Sequence, residues 1–548
     1  MTLGKARRVG QAAPDGLARR VGQAAPVGLP RALWAIAPLA VVGALVIIPV
    51  AAVVIAGLGT QAWETLVAPA TWRIVAYTAI QAAVSTVLSL LLALPAAYAL
   101  YRLEIPARRT LLAIITVPFI LPTIVVGLAF REILPFAGTT AAIIVAHVFF
   151  NVGLVVRIVG GLWGHLDARL LDVSRTLGIG PARTFARVTL PLLRPALLGA
   201  AALVFLFTFT SFGVVLVLGD PSLPTIEVEI YSATVQRLDF PAAAGLALLQ
   251  FVFVAVAVVW SARLQERVSV RQHLGDDDRR APVSSAPERL AVAYTWTLAA
   301  AIVIPLLGLL LRSLRVGEGW GFAWYAEAFS PSEATTRSAS AFESLALSLQ
   351  YAAIATALAT LLGALACAGI LAAGRRGAWI DAALALPLGV SAVTIGFGLL
   401  LVSLRGPVDM RGWWLLVPLG QALVALPIVI RVVLPLLRSL DPRMRQVAAT
   451  LGAPPLRAWW ATEGGLALRA MTVAAGLAAA VALGEFGATA FLVRLDAPTV
   501  PVQIVRLLGR PGEANAGVAA ALSVILLLVT LLIVGVAERI RPRRSGGW

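Results

Sequence analysis

Lysine is almost missing from this chain. Lys5 is the one lysine among 44 lysine and arginine residues. It lies in TLGKARR, without the first glycine and the following serine or threonine of a phosphate-binding GxxxxGK[ST] loop. The sequence therefore has no ATP-hydrolysing motif of that type, and we expect any ATP hydrolysis to take place on a partner subunit.

Cysteine and histidine are scarce too. The single cysteine, Cys367, lies in an apolar run, so no disulfide can form within the chain, and we interpret it as a small buried hydrophobe. His147, His165 and His273 are far apart and do not form a metal-spaced cluster with it. We expect no metal site and no bound cofactor. Since no nucleophile motif or paired-carboxylate site stands out either, we do not expect an enzyme.

Charged residues make up 13% of the chain, about half of what a soluble protein carries. Hydrophobic residues make up 60%, and the mean hydropathy is +0.91. No soluble core needs so much apolar surface, so the lipid bilayer is the natural solvent for this chain. The net charge of +17 would suggest nucleic acid in a soluble protein. Here we expect it to follow the membrane topology, with no nucleic-acid partner.

Apolar windows of about 20 residues, long enough to cross a bilayer, recur about twelve times. Helices satisfy their own backbone in lipid, so the sequence predicts an all-α integral membrane protein. Most of the 44 basic residues lie on the side of both termini, which predicts that both are cytoplasmic. The windows are 33–58, 74–100, 110–130, 138–162, 196–218, 241–262, 291–311, 345–373, 378–402, 413–437, 470–492 and 515–536.

The second half of the chain repeats the first. TLG at 176–178 recurs at 450–452, and FG at 212–213 recurs at 486–487. Six spans per half is an even number, so both halves point the same way and form a parallel six-helix repeat. The predicted organisation is a disordered basic tail (1–32), a first half (33–262), a cytoplasmic linker (263–290), a second half (291–536) and a cytoplasmic tail (537–548).

Each half carries a basic segment on the inner side, between its fourth and fifth windows. In the first half, RLLDVSRTL predicts a short helix that ends at Gly178, and PARTFARVTL predicts a second helix that leads to Pro191. Such a loop presents a short amphipathic helix to a soluble partner. The alternative is a loop whose arginines only obey the positive-inside rule. The same pattern recurs in the second half, which favours a helix that binds a soluble partner.

The segment DVSRTLGIGPARTFARVTLP resembles the EAA loop of type I ABC importer permeases, a MetI-like family. The family pattern is E-A-A, then a glycine, then an I-x-L-P ending. The motif positions of the first copy are held by Asp172, Val173, Ser174, Gly178 and Pro191. Those of the second copy are held by Gln446, Val447, Ala448 and Gly452. There, Gly464 and Gly465 replace the final Leu-Pro, a difference that bears on the angle of the second helix.

The resemblance covers nearly the whole chain and implies a permease with two fused halves. It implies that each short helix is a coupling helix, which docks in a groove of an ATP-binding subunit and transmits its closure to the membrane. The implied partners are two ATP-binding subunits on the cytoplasmic side, an extracytoplasmic substrate-binding protein and the lipid bilayer. The implied location is the bacterial plasma membrane.

Glu485, in ALGEFGATAFL, is the clearest ionisable residue inside a span, where a charge is costly and often functional. Its partner in the repeat is Ser211, in FTSFG. We expect both in the outer halves of their spans, facing each other across the axis that relates the halves. With the adjacent Phe212 and Phe486, they form the candidate translocation path. The alternative is that Glu485 only fixes local helix packing.

Two stretches, AHVFFN (146–151) and TIEVEIYSATVQRLDFPAAAGLALLQ (225–250), resemble the thiamine branch of the permease family. Thiamine is a cation with an aromatic ring, which suits an acidic and aromatic lining. Fused permeases also occur in the ferric-iron branch, so ferric iron or another small solute is the alternative substrate. A secondary transporter is the alternative of a different class; it would use an ion site and no ATPase.

Overall fold

A computed structural model describes residues 40, 43–167, 173–174, 176–268, 280–330, 340–373, 377, 391–405, 412–494 and 496–540. These residues are mainly α-helical, in keeping with the long apolar runs of the sequence. Within the described part, the one sheet is an antiparallel hairpin of β1 (Arg315–Val316) and β2 (Gly319–Trp320). The predicted tail at 1–32 and most of the linker at 263–290 lie outside the described residues.

The first half contains ten helices among its described residues. Short 3-10 or π turns extend several of them, at Gly43–Ile47, Val117–Ile120 and Ser232–Gln236. The helices are α1 (Ile48–Gly57), α2 (Thr60–Val67), α3 (Pro69–Arg102), α4 (Arg108–Thr116), α5 (Thr123–Ile133), α6 (Thr140–Gly164), α7 (Pro181–Phe209), α8 (Gly213–Leu218), α9 (Ile226–Tyr231) and α10 (Phe240–Val268).

The second half follows the same order, with an additional helix described in the loop before its fifth span. Its helices are α11 (Ala286–Leu314), α12 (Ala323–Phe329), α13 (Ala341–Ala372), α14 (Ala392–Arg405), α15 (Leu416–Ser439), α16 (Pro442–Thr450), α17 (Leu456–Gly484), α18 (Thr489–Leu492), α19 (Val500–Leu508) and α20 (Glu513–Ile540).

Nine helices of the described part are long and apolar enough to cross a membrane. Two bent pairs pass the same test together: α1 with α2, bent by 76°, and the segment Arg108–Ile120 with α5, bent by 105°. Ala392–Leu404 is a shorter apolar helix. Each of the predicted windows overlaps one of these elements, although the first and ninth windows extend outside the described residues. The expected fold class, an all-α membrane protein of about twelve spans, is confirmed.

The two halves pack their helices in the same way. In the first half α3 lies against α6 and α7, and in the second half α13 lies against α15 and α17. The helix that enters the fifth span contains a π turn in both halves, at Phe185–Thr189 and at Trp460–Gly464. The repeat read from the sequence is therefore a repeat of structure.

The first span of each half packs against the other half. Helix α11 of the second half lies on α3 and α5 of the first, and α1 of the first half lies on α14 of the second. The approach is close: a Cβ atom added to Gly398 would lie 2.7 Å from Pro49, and one added to Gly308 would lie 2.4 Å from Ile133. Each first span also contacts the last span of its own half. We call this arrangement, in which the first span of each half packs on the other half, the exchange of first spans.

The end of the linker lies on the first half. Ala281 donates a backbone hydrogen bond to Arg102 and accepts one from Glu104, each 2.9 Å long. Ser285 and Glu288 then start α11 with a reciprocal capping box, which satisfies backbone N–H groups at the helix start. The linker therefore reaches α11 alongside the end of α3.

Candidate coupling loops and translocation pathway

The first basic loop contains a short helical turn that ends at a left-handed glycine. Val173, Ser174 and Thr176 are helical, and Gly178 has a φ of +70°. The backbone N–H of Ile179 donates to the Ser174 carbonyl at 3.0 Å, which closes the turn. Asp172, the first residue of the predicted motif, lies outside the described residues.

The second basic loop contains α16, which carries Gln446, Val447 and Ala448. The Asp441 carboxylate caps its start by accepting from the Arg443 N–H at 2.9 Å. At its end Gly452 has a φ of +82° and donates to Ala449 at 3.0 Å, while Ala453 donates to Ala448 at 3.1 Å. These two bonds form a Schellman cap, which needs a residue in the left-handed region.

Both short helices expose the same apolar pair. Val173 and Leu177 are 56% and 71% exposed in the first loop, and the equivalent Val447 and Leu451 are 57% and 82% exposed in the second. Residues four apart lie on one helix face, so each pair forms a small apolar patch. Neither patch belongs to one of the described helices that are long and apolar enough to cross a membrane. Two equivalent apolar patches on a pseudo-symmetric protein suit a partner that binds twice.

The helix after each short helix has the same form in both loops, although its sequence differs. Both α7 and α17 are 29 residues long and contain the π turn described above. A Cβ atom added to Gly464 would lie 2.4 Å from the Trp460 ring, so glycine makes room for tryptophan. The equivalent positions in the first half hold Leu190 and Ala186. Large and small residues have exchanged places, which preserves the packing.

An ion pair ties the second short helix to the helix that follows. Arg445 of α16 binds Glu463, whose side chain is almost fully buried in the π turn of α17. The first half has Leu171 and Thr189 at these positions. This link between the short helix and the span is therefore a feature of the second loop.

Phe212 and Phe486 stack on each other where the two halves meet. Their ring centroids are 5.1 Å apart and their planes differ by 11°. The two residues hold equivalent positions in the repeat, so the stack lies on the axis that relates the halves. Both side chains are buried. The rings therefore close the space between the halves in this conformation.

More aromatic rings from both halves surround this stack. Tyr231 lies 5.3 Å from Phe212 and 5.8 Å from Phe491, and Phe491 lies 6.3 Å from Phe397, centroid to centroid. Edge-to-face and tilted contacts of this kind are favourable beyond the area they bury. The five residues form a continuous aromatic cluster across the seam between the halves.

Glu485 lies at the break between α17 and α18, where both its oxygens accept hydrogen bonds. Oε1 accepts from the Ala488 N–H at 2.8 Å, and Oε2 accepts from the N–H and hydroxyl of Thr489 at 3.0 and 2.5 Å. The carboxylate thus caps the start of α18. Its repeat partner Ser211 lies at the corresponding break between α7 and α8.

A second buried carboxylate lies on the opposite half. Glu227, in the first turn of α9, has no exposed surface, and its Oε1 accepts a hydrogen bond from Gln250 Nε2 of α10. The Ser391 hydroxyl, just before α14 of the second half, lies beside this carboxyl group. Glu227 therefore reaches the seam from the first half, as Glu485 does from the second.

Similar proteins place the chain in a family. A model of the family described as binding-protein-dependent transport system inner membrane component matches residues 85–270. The molybdenum transport system permease protein ModB of Azotobacter vinelandii is 30% identical over 204 residues, which cover 33% of this chain and 89% of ModB. This chain belongs to the inner membrane components of binding-protein-dependent transport systems.

Relatives of this permease also match it along most of its length. The thiamine transport system permease protein ThiP of Brucella suis biovar 1 is 27% identical over 503 residues, which cover 86% of this chain and 88% of ThiP. ThiP of Escherichia coli K12 is 26% identical over 502 residues, with 86% of this chain and 89% of ThiP covered. The permease is thus a multi-pass transport component with the fused two-half form.

Two of the four predicted pathway residues, Phe212 and Phe486, are in contact at the seam, and the sequence analysis does not single out Glu227. Phe212 and Phe486 meet on the axis, and Glu485 lies beside them in the chain. Glu227 lies in IEVEI, where apolar and acidic residues alternate, and this pattern alone does not distinguish a buried acid from a solvent-facing one. The signal available in the sequence was Gln250, a polar residue inside a span of the same permease half.

Proposed function

We propose that this permease imports thiamine, driven by ATP hydrolysis on separate subunits. The observation that carries the proposal is the match to permeases named for thiamine transport along 86% of this chain. The acidic and aromatic residues at the seam support it, because thiamine is a cation that carries aromatic rings.

Two ATP-binding subunits dock on the two coupling loops, one on each apolar patch. Val173 with Leu177, and Val447 with Leu451, enter a groove on these subunits, and ATP binding and hydrolysis move the helices that follow. The left-handed Gly178 and Gly452 fix the orientation of each short helix. The remaining residues that we assign to these contacts are Asp172, Ser174, Pro191, Gln446 and Ala448. This placement puts both termini and the linker in the cytoplasm.

The translocation path runs along the seam between the halves. The stack of Phe212 and Phe486 closes the path on its axis, and Ser211 and Glu485 lie next to it. When the coupling helices move apart or together, the halves tilt and the stack separates. A substrate-binding protein delivers thiamine to the outer side of this stack. The chain supplies the path, and it binds no cofactor of its own.

The alternatives receive less support. The relatives described above are named for thiamine and molybdenum transport, so they do not support ferric iron as the substrate. A secondary transporter is disfavoured because the chain belongs to a family of binding-protein-dependent systems.

Reconstitution tests the proposal. The permease is placed in proteoliposomes with its cognate ATP-binding subunit and binding protein, and uptake of radiolabelled thiamine is measured with ATP or with a non-hydrolysable analogue inside. We expect saturable uptake that requires ATP hydrolysis and the binding protein. Uptake of ferric iron in place of thiamine, or uptake driven by an ion gradient without the ATP-binding subunit, would show that the proposed function is wrong.

A further inference from the structure

We propose that Glu227, with Gln250 and Tyr231, forms a subsite for the cationic aromatic ring of the substrate at the seam of the permease. This inference rests on the proposed function, because it assigns a place to the charge of thiamine. It departs from the sequence-based expectation, which assigned the acidic role in the path to Glu485.

The two buried acidic groups differ in their hydrogen bonding. Glu485 uses both oxygens on backbone N–H groups and a hydroxyl of its own half. Glu227 accepts one hydrogen bond, from Gln250, and its Oε2 has no hydrogen-bond partner among the described residues. Both oxygens of Glu485 therefore have a structural role, whereas Oε2 of Glu227 has no donor among the described residues.

The surroundings of Glu227 contain more hydrogen-bond acceptors than donors. Gln250 Oε1, next to the carboxyl group, is also buried and has no hydrogen-bond partner in the described part of the chain. The Ser391 hydroxyl interacts with the Glu227 carboxyl group, and it also donates to Thr394 Oγ1 at 3.2 Å. Buried polar atoms are normally satisfied, and exceptions mark functional sites. Glu227 Oε2 and Gln250 Oε1 are therefore two neighbouring buried acceptors that a ligand with a positive charge or N–H groups would satisfy.

Glu227 and Tyr231 lie where the two halves of the permease meet. Tyr231 lies one helical turn after Glu227 on α9, so the two side chains share a face. The Tyr231 ring contacts Phe212 and Phe491, which belong to different halves. Ser391, beside the carboxyl group, belongs to the second half. The carboxylate and the aromatic ring thus border the surface that is uncovered when the halves separate.

The chemistry of the site selects an aromatic cation. A carboxylate attracts a delocalised positive charge, and the face of a tyrosine ring adds a cation–π contact. The amide oxygen of Gln250 accepts from an exocyclic amino group such as the one that thiamine carries.

The test compares a cation with a neutral ligand of the same shape. Uptake is measured in the reconstituted system, at saturating binding protein, for thiamine and for its isostere in which a thiophene ring replaces the thiazolium. We expect the wild type to prefer thiamine by about tenfold and Glu227→Gln to reduce this preference to about twofold. Glu229→Gln, two residues along the same helix and paired with Arg237 on the surface, is the matched control and should keep the wild-type preference.

A second variant covers the case in which Glu227→Gln does not assemble. Tyr231→Leu removes the aromatic face and leaves the carboxylate, and it should reduce the preference by about threefold. Co-purification with the ATP-binding subunit establishes assembly for each variant. An unchanged preference in assembled Glu227→Gln or Tyr231→Leu overturns the subsite. Wild-type liposomes that take up neither compound would instead contradict the proposed function itself.

Discussion

Gly178 and Gly452 adopt the same left-handed backbone in loops whose side chains differ. A Cβ atom at either position would meet nothing within 4 Å, so space does not require glycine there. The requirement comes from the φ angles of +70° and +82°, which bring a side chain too close to the following carbonyl oxygen. The sequence predicted this conformation because a glycine after a short helix is a local signal.

Replacing Gly178 or Gly452 with valine tests this requirement. The left-handed conformation then costs about 1–2 kcal/mol, too little to unfold a large bundle but enough to reorient a short docking helix. We expect normal amounts of permease in the membrane, with weaker binding of the ATP-binding subunit or hydrolysis uncoupled from uptake. Co-purification and substrate-stimulated hydrolysis in proteoliposomes measure the two effects.

Gly180→Val is the control for the first loop. Gly180 has a φ of −63° and a ψ of 156°, which any residue adopts, and a Cβ atom there also meets nothing within 4 Å. This variant should behave like the wild type. Normal association and coupling in both Gly178→Val and Gly452→Val would mean that these loops are not the contacts with the ATP-binding subunits.

At the scale of an element, the helix that follows each coupling loop keeps its shape through compensating residues. The first half combines Ala186 with Leu190, and the second combines Trp460 with Gly464. From the sequence, the loss of Leu-Pro in the second copy suggested a change in this helix. The structure keeps its length and π turn, because the tryptophan ring occupies the space beside Gly464.

Gly464→Leu should therefore destabilise the permease unless Trp460 is made small as well. The single variant forces a side chain into the tryptophan ring, at a cost of about 1–3 kcal/mol. The double variant Trp460→Ala with Gly464→Leu copies the first half and should recover most of the lost stability. Thermal unfolding in detergent measures both. A double variant less stable than the single one would contradict the compensation.

In the proposed function, the short helix of each basic loop binds the ATP-binding subunit through its exposed apolar pair. Leu451→Asp places a charge in a groove that is expected to be apolar, and we expect association with the ATP-binding subunit to weaken by about tenfold or more. Leu177→Asp should act in the same way in the first loop. Titration of detergent-solubilised permease with the purified ATP-binding subunit gives the affinities.

Ala449→Asp serves as the control for this helix. Ala449 is exposed on α16, but it is two residues from both Val447 and Leu451, so it faces away from the apolar pair. The same new charge should leave the affinity within about twofold of the wild type. If Ala449→Asp and Leu451→Asp weaken binding equally, the apolar pair is not the docking surface.

At the scale of the whole molecule, the exchange of first spans makes each half depend on the other. Helix α1 rests on α14, and α11 rests on α3 and α5. A chain cut at residue 273, within the predicted linker, should yield two fragments that co-purify when expressed together. We expect either fragment alone to be degraded or aggregated, because its partner surface stays uncovered. Fragments that purify separately as stable monomers would show that the exchange of first spans is not needed.

The packing of each first span on the other half could not be predicted from the sequence. All spans are apolar on most of their surface, so hydropathy gives the number of helices and not their neighbours. The hairpin at Arg315–Trp320 and helix α2 were also missed, because each is shorter than the window that detects a span. Local signals, such as the two capping glycines and the repeat, predicted the two short helices that end at Gly178 and Gly452. The role that we propose for Glu227 depends on Gln250 and Ser391, which are distant in the chain.

The two buried carboxylates have no acidic counterpart in the opposite half. Glu485 is matched by Ser211, and Glu227 is matched by Pro501. A channel assembled from two copies of one polypeptide would present every acidic group twice around its axis, and two such groups at close range repel each other strongly. Gene fusion removes that restriction, because one copy can lose the acid while the other keeps it. A single polypeptide with diverged halves can therefore keep a buried acidic group on one side of the seam without a second copy opposite it, which a homodimer cannot do.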